Sequence, residues 1–463
     1  MSKDTNHTVD TFTSYLTAAK FNPNTLTVII ATVFTDMFEF FDFGILSVAL
    51  PIWIKVWKLT GIEIGLLSTV VGIGAVIGSY LISLLSDRVG RRNGVIIGIL
   101  ITAVSTALIS ATPERNVGYI LAMRFLQGIG IGGAYAVDYS LLQELAPNRL
   151  RGFTAGLTAS MIPFGTALAA YAGALLLPIF GWRPLFLLGL IIVVIAIFLR
   201  LQIPETPRFL YVKGKLEESA RSLVWAMGMN PKFNMDKVKE VQVAIENMRK
   251  TVSVRFPSFT EQMKLLVSYR KEFSLITVLG FVIGFVGYST YPFVPTFLVL
   301  NYGMTAAEAA LIYAYIYTAA SIERIITSLS LDLASRIQVL RVIAILNIIF
   351  SIGMIFTVGT PLLLFALVPA TLAGDAAFPA TMVYANELYP TRTRASASGN
   401  TYGTARIGSI LSTFAIGYYL GTPPNMTNTV PVWLICAILY AIYAIMVFSK
   451  RLAYETKYKS LGI

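Results

Sequence analysis

Histidine and cysteine are almost absent from this chain of 463 residues, each occurring once, as His7 and Cys436. A single cysteine excludes an intramolecular disulfide, and its place inside an apolar stretch leaves the redox compartment open. The lone histidine lies in a polar amino-terminal stretch, so imidazole is out of reach of any proton relay in the apolar interior, which would have to use carboxylates. Charged residues are scarce too, at 13%, too few for the solvated surface of a soluble chain of this length. No nucleophile–base pair and no metal-ligating cluster stands out, so enzyme activity has no support and neither metal nor cofactor is expected. The first 25 residues carry no apolar h-region, so the first apolar run is expected to be a mature helix and not a cleaved signal peptide.

Apolar residues are what the chain has in abundance, 56% of the total with a mean hydropathy of +0.71. That composition describes an integral membrane protein. A net charge of +12 would suggest nucleic acid as partner in a soluble chain, but here the basic residues fall between apolar runs and read as topology. Twelve segments are long enough to cross a bilayer as helices: 26–54, 62–86, 93–111, 117–146, 152–178, 183–203, 273–300, 306–331, 338–358, 361–388, 394–419 and 429–449. The expected organisation is an amino-terminal tail (1–25), a six-helix bundle (26–203), a polar linker with short helices (204–272), a second six-helix bundle (273–449) and a carboxyl-terminal tail (450–463). Alternate connections hold Arg88, Arg91, Arg92, Arg149, Arg151, Arg336, Arg341, Arg392 and Arg394, whereas the other set holds only Lys55, Lys58, Arg115 and Arg183. The positive-inside rule then places both termini in the cytoplasm. The expected setting is a multi-pass protein of the plasma membrane, with the lipid bilayer as its surroundings and no need for more than a monomer.

One sentence is written twice. ELAPNRLRGFTAG begins at Glu144 and ELYPTRTRASASG at Glu387, 243 residues later, each after a long apolar segment. Such a repeat implies two similar bundles, and sites between repeats are where transporters hold their cargo. The connection after the second segment reads SDRVGRRNG and its worn copy reads LDLASRIQV. With twelve helices and these repeats, the chain resembles the major facilitator superfamily over essentially its whole length. GWR at Gly181–Arg183 and PETPRFLYVKGKLEESAR resemble its sugar-porter and organic-ion branches. The resemblance implies two pseudo-symmetric six-helix bundles that rock about a central site. At the cytoplasmic helix ends Asp87, Arg88, Arg91, Arg92, Arg151 and Arg394 are placed to bridge to Glu144 or Glu387 and act as a latch.

Charges inside membrane segments are costly and normally face a partner or a wet cavity. Asp36, Glu39 and Asp42 of the first segment step about 60° apart per three residues and share one third of the helix surface. Crowded carboxylates of this kind suit a proton-coupling site, and a structural set satisfied by arginines is the alternative. Counted from the helix ends, Asp36 falls near the midplane, while Asp42 and Arg124 fall in the outer half, where they could pair. In proton-coupled sugar porters, segments like FFDFGILSVALP and RFLQGIGIG supply the coupling aspartate and arginine, and the resemblance carries those roles to Asp42 and Arg124. Read against the phosphate:proton symporters, TDMFE instead assigns coupling to Asp36 and Glu39. GIGIGG at Gly128–Gly133 lies in mid-helix with no preceding strand, so it reads as close helix packing and not as a phosphate cradle.

Asp375 and Arg406 both arrive near the midplane, so either they neutralise each other or Arg406 meets an anionic substrate, for which a guanidinium fork is suited. TARIGSIL resembles the eleventh helix of phosphate and organic-anion transporters, where a basic residue meets the anion. Asp138, Glu323 and Arg324 fall nearer the cytoplasm, in gating or structural pairs. The glutamines and tryptophan usual in sugar porters are missing, and Tyr135, Tyr288 and Tyr291 are the tyrosines expected to face a cavity. Ala134 stands where phosphate symporters have an aspartate, which weakens phosphate as substrate. The expected function is proton-coupled symport of a small organic anion such as a carboxylate metabolite. Alternatives are a proton-coupled sugar or polyol symporter, a cation or drug efflux antiporter, and a non-transporting nutrient sensor, for which the tail after Lys450 is short.

Overall fold

The computed structural model describes residues 11–145, 151–251, 259–389 and 394–456, and the side chains of Arg151 and Arg394, two of the expected latch residues, lie outside that description. In chain order the helices are α1 (Thr11–Ala18), α2 (Pro23–Trp57), α3 (Gly61–Val89), α4 (Arg91–Ser110), α5 (Val117–Leu145), α6 (Arg151–Phe180), α7 (Arg183–Gln202), α8 (Pro207–Val212), α9 (Leu216–Ala226), α10 (Met235–Thr251), α11 (Phe259–Ser268), α12 (Arg270–Thr290), α13 (Val294–Tyr302), α14 (Ala306–Leu333), α15 (Arg336–Thr357), α16 (Leu363–Leu388), α17 (Arg394–Leu420) and α18 (Val430–Phe448). Among the described residues there is no strand. Among the same residues, eleven helices are long and apolar enough to cross a membrane. The twelfth, α17, has 27 residues, ample at about 1.5 Å each; its serines, threonines and Arg406 are what dilute its hydropathy.

The segment expected as one helix over 273–300 is broken into α12 and α13 at Tyr291–Phe293. Pro292 and Pro295 have no N–H to donate, so the helical ladder cannot run through them. The break falls beside the central cavity and turns Tyr291 inward.

The internal repeat is visible in contacts as well as in sequence. Thr60 and Glu63 form a capping box at the start of α3, and Thr305 and Glu308 form its copy at the start of α14. Arg91 approaches Glu144 at 4.0 Å, and Arg336 binds Glu387 at 3.1 Å. The Glu205 carboxylate accepts from the backbone N–H of Arg91 and Arg92 at the start of α4, and Glu455 accepts from those of Arg336 and Ile337 at the start of α15. Orphan N–H groups at a helix start are thus satisfied in the same way in both halves. Burial pushes the Glu205 carboxyl up from its ordinary range, against the backbone N–H groups that lower it.

Helices α3 and α5 cross through glycines. A Cβ on Gly74 would lie 3.1 Å from the Cα of Gly128, so the GIGIGG run serves close packing. Outward-facing residues of α7 such as Ile191, Val194 and Phe198 are exposed and apolar, as lipid contact requires. A second apolar core joins α1, α9 and α10 to the ends of α2 and α5 through Phe12, Leu16, Val28, Leu145, Leu223 and Val241. The end of the bundle that carries α8 to α11 is called the linker face below.

Candidate functional site

Six carboxylates and four guanidiniums are buried or nearly so along the axis of the molecule. They sort into pairs that helix numbering alone does not give. Near the face away from the linker, Arg124 Nη1 lies 3.3 Å from Asp42 Oδ2, both side chains fully buried. Thr106 donates to Asp42 Oδ1 (3.0 Å), Gln127 donates to Thr106 (2.8 Å), and Arg124 donates to Gln127 (2.5 Å). This expected pair is therefore brought together and locked in a hydroxyl–amide ring.

At the centre the pairing differs from expectation. Asp375 does not neutralise Arg406. It accepts from Arg324 Nε and Nη2 at 2.5 and 2.7 Å. The guanidinium of Arg324 comes from α14, whose rotation relative to α16 is fixed by packing and not by either helix's own sequence. Arg406 instead donates to Glu39 Oε1 of the other half at 3.4 Å, to the Tyr402 hydroxyl at 2.9 Å and to that of Tyr288 at 3.4 Å. The guanidinium also lies over the Tyr402 ring, 4.9 Å from its centroid. Glu39, and not Asp36, is thus the acid of α2 that meets Arg406.

Nearer the linker face, Arg200 of α7 binds Asp138 of α5, with Thr32 and Thr35 of α2 completing the contact. Asp36 lies within electrostatic reach of Asp138, Glu39 and Arg200. Glu323 bonds to the Thr327 hydroxyl one turn on. The three acids of the first segment do share one buried face, but each looks to different neighbours.

Between the halves lies a cavity with about 690 Å³ of space, including the part open to solvent. Tyr135, Tyr288 and Tyr291 all line it, as expected, together with Asp375 and Arg406. Tyr317, Tyr402, Phe40, Phe378 and Arg324 also line it. Tyr135 stacks on Tyr402 across the halves, ring centroids 5.0 Å apart. Tyr402 was legible in principle, one helical turn before Arg406 on the same face. Arg200, a lone cation in the last turn of a highly apolar helix, carried a similar signal.

On the far side of the cavity from the linker face, the halves are sealed. Gly61 N–H donates to Gly421 O (2.9 Å), the hydroxyls of Thr69 and Thr413 are 3.0 Å apart, and Tyr313 donates to Ser47 (3.3 Å). Between described residues, no hydrogen bond, ion pair or ring contact joins the halves nearer the linker face than the Tyr135–Tyr402 stack. The expected latch is correspondingly split. Arg91 pairs with Asp87 and approaches Glu144, Arg92 donates to the carbonyls of Arg200 (3.1 Å) and Leu201 (2.9 Å), and Arg88 is exposed. Glu387 does not meet this cluster, because Arg336 of its own half and Thr456 occupy it. Among the described residues no group of acids, histidine or cysteine suited to a metal is present.

Comparison with known proteins gives three kinds of likeness. The family model described as Major Facilitator Superfamily matches residues 32–413. The niacin transporter NiaP of Acinetobacter baylyi is 31% identical over 183 residues, which is 40% of this chain and only 41% of that protein. The 4-hydroxybenzoate transporter PcaK of Pseudomonas aeruginosa is 26% identical over 84% of both chains. Among solved structures, a partially occluded inward-open form of the E. coli xylose transporter XylE superposes with a TM-score of 0.72, covering 94% of this chain and 99% of that one at 18% identity.

Proposed function

The chain belongs to the Major Facilitator Superfamily, a multi-pass membrane transporter and not an enzyme, and from that premise we propose that it is a proton-coupled symporter of small organic anions, aromatic carboxylates in particular. The observation that carries this reading is the Arg406–Glu39 contact. A single long ion pair at 3.4 Å joins the two halves at the edge of an aromatic-walled cavity. A substrate carboxylate on the guanidinium fork replaces Glu39 with better geometry. The tyrosine hydroxyls that accept from Arg406 keep their own protons free to donate to the anion. Glu39, displaced, takes a proton, so anion and proton enter together without leaving a net charge in the cavity. Asp36, Asp42 and Arg124 complete the proton-coupling set on the same half.

The linker face is the cytoplasmic face in this reading, and the carrier is a monomer in the plasma membrane. The halves 26–203 and 273–449 rock about the cavity, opening one side as the other seals, and the clusters around Arg91 and Arg336 brace the cytoplasmic helix ends as they move. The names of two relatives, carriers of niacin and of 4-hydroxybenzoate, agree with the aromatic walls. A sugar or polyol is the second reading, favoured by the PETPRFL segment. No asparagine or glutamine stands among the described lining residues, although a polyol needs several neutral donors and acceptors.

The test is transport by purified protein in liposomes under an inward proton gradient, with internal pH as readout and benzoate, nicotinate, phosphate and xylose as probes. Acidification driven by the aromatic acids and abolished by Arg406→Gln is the expected result. Acidification by xylose that survives Arg406→Gln would overturn the anion reading.

A further inference from the structure

Asp36 is the acid of α2 that has no cation of its own. Asp42 is paired with Arg124 and Glu39 with Arg406, whereas Asp36 makes no hydrogen bond or ion pair among the described residues although its exposure is only 6%. The charged groups that face it from the packed helices are Glu39 of its own α2, Asp138 of α5 and Arg200 of α7. Arg200 is fully buried and commits one nitrogen, Nη2, to Asp138, Thr32 and Thr35. Its Nε and Nη1 are buried without a partner. Two carboxylates and one guanidinium, all buried, are neutral only with one proton aboard.

We propose that Asp36, Asp138 and Arg200 form the site that holds the transported proton after Glu39 gives it up and before it leaves at the linker face. This assignment rests on the proton-symport reading above. In the transfer the O–H bond of Glu39 breaks as one forms on Asp36, a helical turn away. Arg200, with two unpartnered nitrogens, swings its charge between Asp36 and Asp138. When the linker side is open the proton passes to water, leaving one carboxylate on the guanidinium and the other ready to be recharged. Glu39, again ionised, returns to Arg406 and expels the substrate.

Two variants test it in proteoliposomes: Asp36→Asn, which removes no hydrogen bond, and the double variant Asp138→Asn/Arg200→Gln, which removes both charges of the buried pair. Benzoate-driven proton influx is measured beside benzoate counterflow, which cycles the loaded carrier without net proton release. The expected result is a loss of proton influx of about tenfold or more in each variant, with counterflow reduced no more than about threefold. A native proton-to-benzoate ratio in either variant overturns the assignment. If the double variant does not fold, Asp36→Asn decides alone. Wild-type proton influx with xylose but not benzoate would sink the anion reading, and the same variants would then be judged on xylose. No substrate-driven proton influx in the wild type at all overturns both.

Discussion

At the residue scale, the Glu39–Arg406 contact makes substrate and proton compete through one acid. Ionised Glu39 occupies the guanidinium, so lowering the pH in the assay frees Arg406 and strengthens carboxylate binding. Glu39→Gln mimics the protonated acid at every pH. That variant is expected to bind benzoate about tenfold more tightly than wild type at alkaline pH, roughly 1.4 kcal/mol, with affinity flat across the pH range and proton influx lost. Calorimetric or fluorescence titration of both proteins at several pH values reads this directly, and a parallel pH dependence in wild type and variant would count against it. Sequence alone placed Asp36, Glu39 and Asp42 on one face, because a 3.6-residue period makes that arithmetic. It could not say that Asp375 takes Arg324 and that Arg406 crosses to the other half. Those partners are chosen by how neighbouring helices are rotated against each other, a property of packing that no single segment contains.

At the element scale, the helices were legible from apolar length, and the glycine run in α5 from its small residues. The break at Pro292 was legible as well, had two prolines within four residues been weighed against the apolar run. Close approach makes an asymmetric prediction. A side chain at Gly128 would collide with the backbone of α3 at Val71 and Gly74, and two backbones cannot move apart without opening the bundle. Gly128→Leu is therefore expected to cost about 1–3 kcal/mol or more and to lower the thermal midpoint in detergent sharply. At Gly287 of α12 a Cβ would meet nothing within 4 Å, and the residue lines the cavity. Gly287→Ala should keep the wild-type midpoint while weakening benzoate binding, through lost volume next to Tyr288. Equal thermal losses for the two variants would show that helix crossing at Gly128 is not tight.

At the scale of the whole molecule, the hydrogen bonds between described residues of the two halves gather at the centre and along the face away from the linker. Sequence repeats imply two bundles, yet which end is sealed depends on a balance of contacts between surfaces far apart in the chain. Here the balance is struck by Gly61 against Gly421, by Gly65, whose Cβ would lie 3.0 Å from Gly417 Cα, and by the Thr69–Thr413 hydroxyl pair. If the halves rock, this seam must open once in every cycle, and a covalent tie across it should stop transport without harming the fold. The single cysteine makes that experiment clean, since Cys436 is buried against Ser289 and Cys436→Ser leaves a cysteine-free background. In that background Thr69→Cys/Thr413→Cys puts two thiols where oxygen atoms now stand 3.0 Å apart, close to the roughly 2 Å that a disulfide needs. Rapid crosslinking under mild oxidation is expected, with uptake falling at least about tenfold and returning on reduction, since a blocked conformational step limits the whole cycle. Binding of benzoate added from the linker face should survive the crosslink, because the tie lies on the opposite side of the cavity. A crosslinked carrier that transports at the native rate would mean that the seam between α3 and α17 is static, and that access to the cavity from the far side runs elsewhere.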